Sequence, residues 1–254
     1  MQREQFELHA ELESRHWWFV GRQRILRSLV ERLGAPAPGA SMFEFGCGTG
    51  GTLAAIGAGY RCEGVDPDAG AIALAALRFP QHRFAVWTPG AALPAGIGEA
   101  EVVLMLDVLE HIERSREALQ AVIAAMKPGA HLLITVPADM RIWSGHDEHF
   151  GHFRRYDEEM LRWEWSGAPV DVRLLSHFNA FLHPVVYAIR RLNRMRGTSS
   201  GDAGTDLAMP PAAANLALTR LFARERKALV AAVDAGAPAF QRGVSLVALL
   251  KKRA

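Results

Sequence analysis

Glu44-Phe45-Gly46-Cys47-Gly48-Thr49-Gly50-Gly51 decides how this chain reads. Residues 41–46 (SMFEFG) before it have the character of a strand, and residues 50–58 behind it that of a helix. Glycines at such a junction let the backbone turn tightly and let a ligand approach the main chain. The helix start behind them offers free N–H groups and the positive end of a dipole. The spacing 46-48-51 satisfies G-x-G-x-x-G, the dinucleotide fingerprint, although a glycine turn alone is weak evidence. Asp66, in Gly64-Val65-Asp66-Pro67-Asp68, sharpens it. An acid that ends the second strand points at the same crevice and can accept both ribose hydroxyls of a nucleoside. The plainer reading makes Asp66 the cap of the next helix, but Asp68 is better placed for that. Loop and acid argue for a ribose-bearing cofactor.

Outward from this point the rhythm continues. Strands are expected at about 60–65, 82–86, 101–106 and 130–136, with helices near 68–78 and 114–126. Such alternation builds βαβ units, a parallel sheet covered by helices on both faces and right-handed crossovers. Upstream, Leu8, Leu12, Ile25, Leu29 and Leu33 fall at helical spacings around an aromatic knot, Trp17-Trp18-Phe19, and Gly34 to Gly39 ends the region. After Pro137 the alternation stops. A polar, His-rich segment at 138–156 leads to a helix near 157–165 and a strand at 170–176. Phe178, Phe181, Leu182, Val185, Val186, Ile189 and Leu192 then mark an amphipathic helix over 178–192, with Arg190, Arg191, Arg194 and Arg196 at its end. A flexible loop at 197–211, a helix at 212–234 and a strand at 243–250 close the chain. The organisation is a helical cap (1–40), a cofactor-binding core (41–137) and a substrate-side segment with lid helices and final strands (138–254).

The chain has 254 residues, half of them hydrophobic and 22% charged, which excludes disorder, collagen and coiled coil. Lys+Arg of 29 against Asp+Glu of 27 leaves a net charge of +2, too balanced for a nucleic-acid binder. Two cysteines, Cys47 and Cys62, make no disulfide framework, so a cytoplasmic setting with both reduced is expected. No apolar run reaches the ~18 residues of a membrane span.

Four stretches in order carry a resemblance: Glu44 to Gly50 (EFGCGTG), Gly64 to Pro67 (GVDP), Leu106-Asp107-Val108-Leu109-Glu110-His111-Ile112, and Lys127 to Pro137 (KPGAHLLITVP). They resemble the motifs of class I S-adenosylmethionine (SAM)-dependent methyltransferases, and His16 to Arg22 with His146 to Tyr156 resembles a subgroup with HWWFxGR and HDxxxGHxRRY segments. The resemblance implies an α/β, Rossmann-like, seven-stranded, mostly parallel sheet, with the last strand antiparallel beside the fifth and helical caps. It implies SAM as cofactor. Gly46, Cys47, Gly48 and Gly50 would line its methionine and ribose, Glu44 would support the loop, Asp66 would hold the ribose, and Pro67 would touch the adenine. Leu106, Asp107 and Val108 would line the donor site, and Arg22 would pair with the cofactor carboxylate. One departure is Val86-Trp87-Thr88, where many members carry an acid; Trp87 is a candidate to stack on the adenine instead.

Methyl transfer is an in-line displacement in which positioning dominates, and a hydroxyl acceptor also needs a base. His111, His146 and His152 are the candidate catalytic groups, and Trp18, Arg154, Arg155 and Tyr156 the candidate substrate contacts. Each has a structural alternative. His111 and Glu110 can instead brace the loop. Residues 146–156 can be a loop tied by their own His–Asp and Arg–Asp pairs. Trp17, Trp18 and Arg22 can pack on the sheet or cover the cofactor. A metal at Asp107, Glu110 and His111 fits the ligand types but is the weaker reading, and no metal is expected. The helix at 178–192 is expected as a packed lid, with peripheral contact at the inner face of a membrane as the alternative. The expected activity is O-methylation of a small, sugar-type or lipid-linked acceptor. An NAD-dependent oxidoreductase and a non-catalytic, membrane-associated module are the rivals.

Overall fold

The computed structural model describes residues 10–196 and 209–254. Strands β1 (Ser41–Phe45), β2 (Arg61–Asp66), β3 (Arg83–Val86), β4 (Val102–Leu106), β5 (His131–Pro137), β6 (Val170–Phe178) and β7 (Ser245–Lys252) form one sheet in the order β3-β2-β1-β4-β5-β7-β6. β1 to β5 pair in parallel, and β7 lies antiparallel between β5 and β6. This is the expected seven-stranded Rossmann-like sheet. The strand order reverses between β1 and β4, and a crevice opens there at the carboxyl ends of the strands.

Burial explains the strand sequences. β4 reads Val-Val-Leu-Met-Leu and is buried at every position, as a central parallel strand covered on both faces must be. Alternate residues serve opposite layers. Phe43, Met105 and Ile134 face the layer that contains Leu119, Val122 and Ile123 of α5 (Ser115–Ala125), while Met42, Leu104 and Leu133 face the other. That second layer is closed by α1 (Trp17–Glu31), α9 (Ala212–Arg224) and α10 (Arg226–Ala232) through Ile25, Leu26, Phe222 and Leu229. The other helices are α2 (Gly51–Ile56), α3 (Ala69–Arg78), α4 (Gly96–Glu99), α6 (Gly145–His149), α7 (Glu158–Glu164) and α8 (His183–Arg196).

The second half departs from the sequence reading in detail. Phe178 is the buried last residue of β6, and Asn179 turns the chain at a φ of 53°, so α8 begins only at His183 with Pro184 in its first turn. The apolar period of α8 does not mark a packed lid face. Leu182, just before it, is buried, but Val185 and Ile189 are 55% and 51% exposed. The helix expected over 212–234 is two, joined at Glu225, whose buried carboxylate accepts the N–H groups of Ala180 and Phe181 at 2.8 and 2.9 Å. Leu8, residues 197–208 of the expected loop, and the side chains of Arg194 and Arg196 lie outside the described residues. Cys47 and Cys62 are both free and buried. No described helix is long and apolar enough to cross a membrane.

One aromatic ring docks α1. A Cβ on Gly21 would lie 2.6 Å from the Phe222 ring, so glycine there lets the helix close onto it. Trp17 meets Phe222 edge-on at 6.0 Å, and Phe222 stacks on Phe178, also at 6.0 Å. Phe222→Ala is expected to cost about 3–5 kcal/mol in denaturant unfolding, the range for deleting a buried aromatic. A loss below about 1 kcal/mol would show that α1 docks without this ring.

β1 also buries a charge-capable group. Glu44 is 2% exposed beneath α2, and its Oε2 has no hydrogen-bond partner among the described residues. Burial pushes its pKa up to about 8, against the opposing pull of Arg22. The folded chain therefore holds a proton that the unfolded chain gives up. The contribution is intact below the ordinary 4.5 and is lost as pH rises through about 8. Between pH 5 and 8 the ligand-free protein should lose roughly a few kcal/mol of stability that Glu44→Gln retains, read by denaturant unfolding at the two pH values. Parallel losses in both proteins would refute the assignment.

Candidate functional site

A cavity of about 610 Å³ occupies the crevice. On one side it is lined by Glu44, Gly46, Cys47 and Gly48, and on the other by His111, His146 and His152, so it joins two motifs about a hundred residues apart in sequence. The glycine loop shows why side chains are excluded there. Gly46 has a φ of 66°, and a Cβ on it would lie 2.6 Å from Val108 Cγ2. Asp66 fixes the loop from below. Its Oδ2 accepts the Gly48 N–H and its Oδ1 the Asp68 N–H, both at 2.9 Å. Burial raises the Asp66 pKa and these two bonds oppose the rise. Asp68 caps α3, accepting from Gly70 and Ala71 at 2.8 and 3.1 Å, so Asp66 is not the helix cap.

The N-terminal segment seals the loop from above. The buried Glu13 accepts the Thr49 hydroxyl at 2.6 Å and pairs with Arg78 at 2.9 Å. A Cβ on Gly51 would lie 2.3 Å from its Oε2. Arg22, buried on α1, pairs with Asp107 Oδ2 at 2.8 Å and donates to Thr135 Oγ1 at 3.0 Å, while Thr135 donates to Asp107 Oδ1. Trp18 lies over the Arg22 guanidinium at 5.2 Å and lines the cavity with Trp17. The tryptophans thus both pack and wall the cavity.

The loop after β5 is organised by Asp147, which is fully buried. Its Oδ1 bonds His152 Nδ1 at 2.9 Å and Arg155 Nε at 2.8 Å, and its Oδ2 accepts the Ser144 N–H at 2.9 Å. Arg190 of α8 stands 3.6 Å from Oδ2. Burial alone would raise the Asp147 pKa, but His152 and Arg155 hold it well below the carboxylate range. His152 meets His111 edge-on at 4.7 Å, and His146 packs on Phe150 at 4.7 Å. His111 opens to the cavity. The protein around it, with His152 as the next cause, lowers its pKa. Glu110 is buried beside it, and burial, with Asp107 second, raises its pKa well above the ordinary value.

Several sequence expectations need correction. Arg154 turns away from the cavity, donating to Ser115 Oγ at 2.6 Å and to the Glu113 carbonyl at 2.8 Å. Tyr156 is 1% exposed in the core, with its hydroxyl on Glu164 at 3.3 Å. Neither lines the cavity. Arg155 does, but its guanidinium is committed to Asp147 and to the Ala138 carbonyl. Gly50, Asp66, Pro67 and Val108 stand behind or beside the wall, while Leu106, Asp107 and Arg22 line it. Trp87 packs edge-on against Phe45 at 5.5 Å and donates to the Ala92 carbonyl, so it is no cavity wall. Asp107 is taken by Arg22, and among the described residues the group that converges at metal-ligand range is Glu110, His111 and His152. Glu13, Phe150, Val186, Ile189 and Arg190 line the cavity without having been anticipated as site residues. Phe150 lies inside the His-rich segment, and Val186, Ile189 and Arg190 lie in the amphipathic stretch, but nothing local in either says which of their residues face the cavity.

No curated protein matches the sequence. Among solved structures, the Haloferax volcanii methyltransferase chain bound to the Trm112 activator is similar at 16% identity and a TM-score of 0.59, over 96% of this chain and 93% of that one. Haemonchus contortus phosphoethanolamine N-methyltransferase 2, solved with phosphomonomethylethanolamine and S-adenosylhomocysteine, matches at 17% and 0.55, over 89% of this chain and 51% of that one. The geranyl diphosphate C-methyltransferase of Streptomyces coelicolor matches at 15% and 0.52, over 89% and 75%. These similarities show a shared fold. The family description of a methyltransferase domain matches residues 19–181, well over half the chain, and the protein belongs to that methyltransferase family.

Proposed function

We propose that this cavity transfers a methyl group from SAM to an oxygen of a small, weakly charged acceptor. The single observation that carries the reading is the continuity of the cavity from the glycine loop to the histidine cluster. The residues on the donor side fit the cofactor. Gly46 and Gly48 leave the main chain bare, and Arg22 Nε and Glu44 Oε2 are buried polar atoms without partners among the described residues. When bound, SAM supplies an electrophilic methyl on a sulfonium.

Asp66, beside the wall and bonded to Gly48, would use its remaining acceptor capacity on the ribose hydroxyls, and Gly46, Cys47 and Gly48 would line the path towards the methionine end. Arg22, whose buried Nε has no partner among the described residues, would face the cofactor carboxylate. Leu106 and Asp107 border the transferred group. On the acceptor side, Trp18, Phe150, Val186 and Ile189 offer apolar and aromatic walls. His111, His146 and His152 are the groups proposed to position the acceptor and take its proton, with Asp147 as the positioning residue that fixes the His152 ring. Arg154 faces outward and Arg155 is bonded to Asp147, so neither arginine of the Arg154-Arg155 pair offers a free guanidinium fork to a phosphate in the cavity. Exposed Val185, Ile189 and Leu192 on α8, beside the cavity, support an acceptor with a greasy or lipid-linked part. A nicotinamide oxidoreductase would need a hydride-accepting partner arrangement that the family membership disfavours.

Asp66→Ala should weaken SAM binding roughly ten- to a hundredfold in calorimetry, the effect of losing a charge-assisted hydrogen bond worth ~1.5–3 kcal/mol. Unchanged affinity would remove Asp66 from the donor site. Arg154→Ala should leave SAM affinity and turnover within about threefold, a cost below ~0.7 kcal/mol. Asp147→Asn should lower turnover at least about tenfold, equal to ~1.4 kcal/mol, with SAM affinity little changed. A larger loss from Arg154→Ala than from Asp147→Asn would reverse the placement of the acceptor side.

A further inference from the structure

The geometry points to a divalent-cation site at the acceptor end of the cavity, formed by Glu110, His111 and His152. It takes from the proposed function only the position of the acceptor, and cation binding can be measured without any methyl transfer. Each of the three offers one ligand atom, and all these atoms lie within 4.8 Å of one another. Ligands ~2.1 Å from one ion are separated by about 3–4 Å, so sub-ångström side-chain movement closes the set.

A second, independent observation points to a ligand. Glu110 is 1% exposed, and its Oε2 has no hydrogen-bond partner among the described residues. A buried carboxylate is normally paired or bound to a metal. The two arginines whose charge reaches Glu110, Arg22 and Arg155, are bonded instead to Asp107 and Asp147.

Both imidazoles are also held as metal ligands are held. His152 uses Nδ1 on Asp147, which turns Nε2 to the remaining direction. The Phe150 carbonyl lies beside the His111 ring, which favours a proton on the ring nitrogen facing it. A carboxylate or carbonyl behind each ring is the usual outer support of a metal-bound histidine, fixing tautomer and orientation. The ligands come from two elements, the turn after β4 and the loop after α6, so a cation would tie these together. Two imidazoles and one carboxylate suit Zn²⁺ or Mn²⁺ better than Mg²⁺, which prefers oxygen. All three residues line the cavity, so open coordination positions would face an acceptor oxygen and lower the pKa of a hydroxyl bound there, and with the cation in place the proton would pass to His146 rather than to the two ligating rings.

The test is calorimetric titration of the chelator-treated full chain with Zn²⁺, Mn²⁺ and Mg²⁺ in turn, with SAM affinity measured on the same samples. The expected result is one equivalent of Zn²⁺ or Mn²⁺ bound, weaker Mg²⁺ binding and a melting temperature that rises with the cation. Glu110→Gln and His152→Asn should each weaken binding about a hundredfold or more, beyond the 10–100-fold typical of losing an outer support. Normal SAM binding with no cation bound, or with affinity unchanged in both variants, overturns the site and leaves the methyltransferase reading standing. Absent SAM binding counts against that reading alone. Infrared spectra supply a second decision. A protonated-carboxyl band in the metal-treated protein that Glu110→Gln removes would show that a proton takes the place of the cation. If either variant fails to fold, imidazole nitrogen couplings in the electron-spin spectrum of Mn²⁺ on the unaltered chain decide the matter, and their absence overturns the site.

Discussion

A buried guanidinium must find a carboxylate, and the meeting of Arg22 with Asp107 at 2.8 Å organises the centre of this molecule. Arg22 arrives from α1, Asp107 from the end of β4, and Thr135 of β5 bonds both. Asp107 holds a φ of 57°, a left-handed conformation that costs of order 1–3 kcal/mol unless its surroundings impose it. Here its N–H is bonded to the Thr135 carbonyl at 2.9 Å and both carboxylate oxygens are engaged. The same contact orients the turn that carries Glu110 and His111. The N-terminal helix, the sheet and the Glu110–His111 turn therefore share one ion pair, and none could shift without disturbing the others.

The sheet was legible because its signals are local. A buried parallel strand such as Val102–Leu106 reads as a short apolar run, and the glycines and Asp66 sit at fixed positions relative to strand ends. The glycine-loop wall of the cavity was legible for the same reason. The substrate side was less so, because its walls come from elements far apart in sequence. Adjacent Arg154 and Arg155 look equivalent as letters, yet the alternation of an extended segment sends one to Ser115 and the other to Asp147. Tyr156 looked like a site residue by proximity and proved to fill the core. The amphipathic period at 178–192 was real, but it combined the end of a buried strand with a largely exposed helix. Only tertiary contacts separate those two sources of the same pattern.

The division of labour across the cavity follows from topology. Donor-side groups hang on β1, β2 and β4, where parallel pairing fixes their register. The opposite wall is less uniform: Trp18 comes from α1 and His111 from the turn after β4, while His152, Arg155 and Arg190, from the excursion between β5 and β6 and from α8, gather on Asp147.

The docking of α1 has a consequence for the order in which the chain can fold. Trp17 donates its N–H to Asn215 at 2.8 Å, across 198 residues of sequence, and leans on Phe222. During synthesis the apolar stripe of Ile25, Leu26 and Leu29 therefore exists long before the helix that completes its cover. Closing so long a loop carries a large entropic cost, so these contacts form late. A nascent chain released before residue 222 would hold most of the sheet residues yet leave that stripe uncovered, a surface that chaperones and other nascent chains recognise. The strands around the glycine loop can pair early, but the segment that closes over that loop, from Glu13 to Arg22, must wait for nearly the last helix to be made.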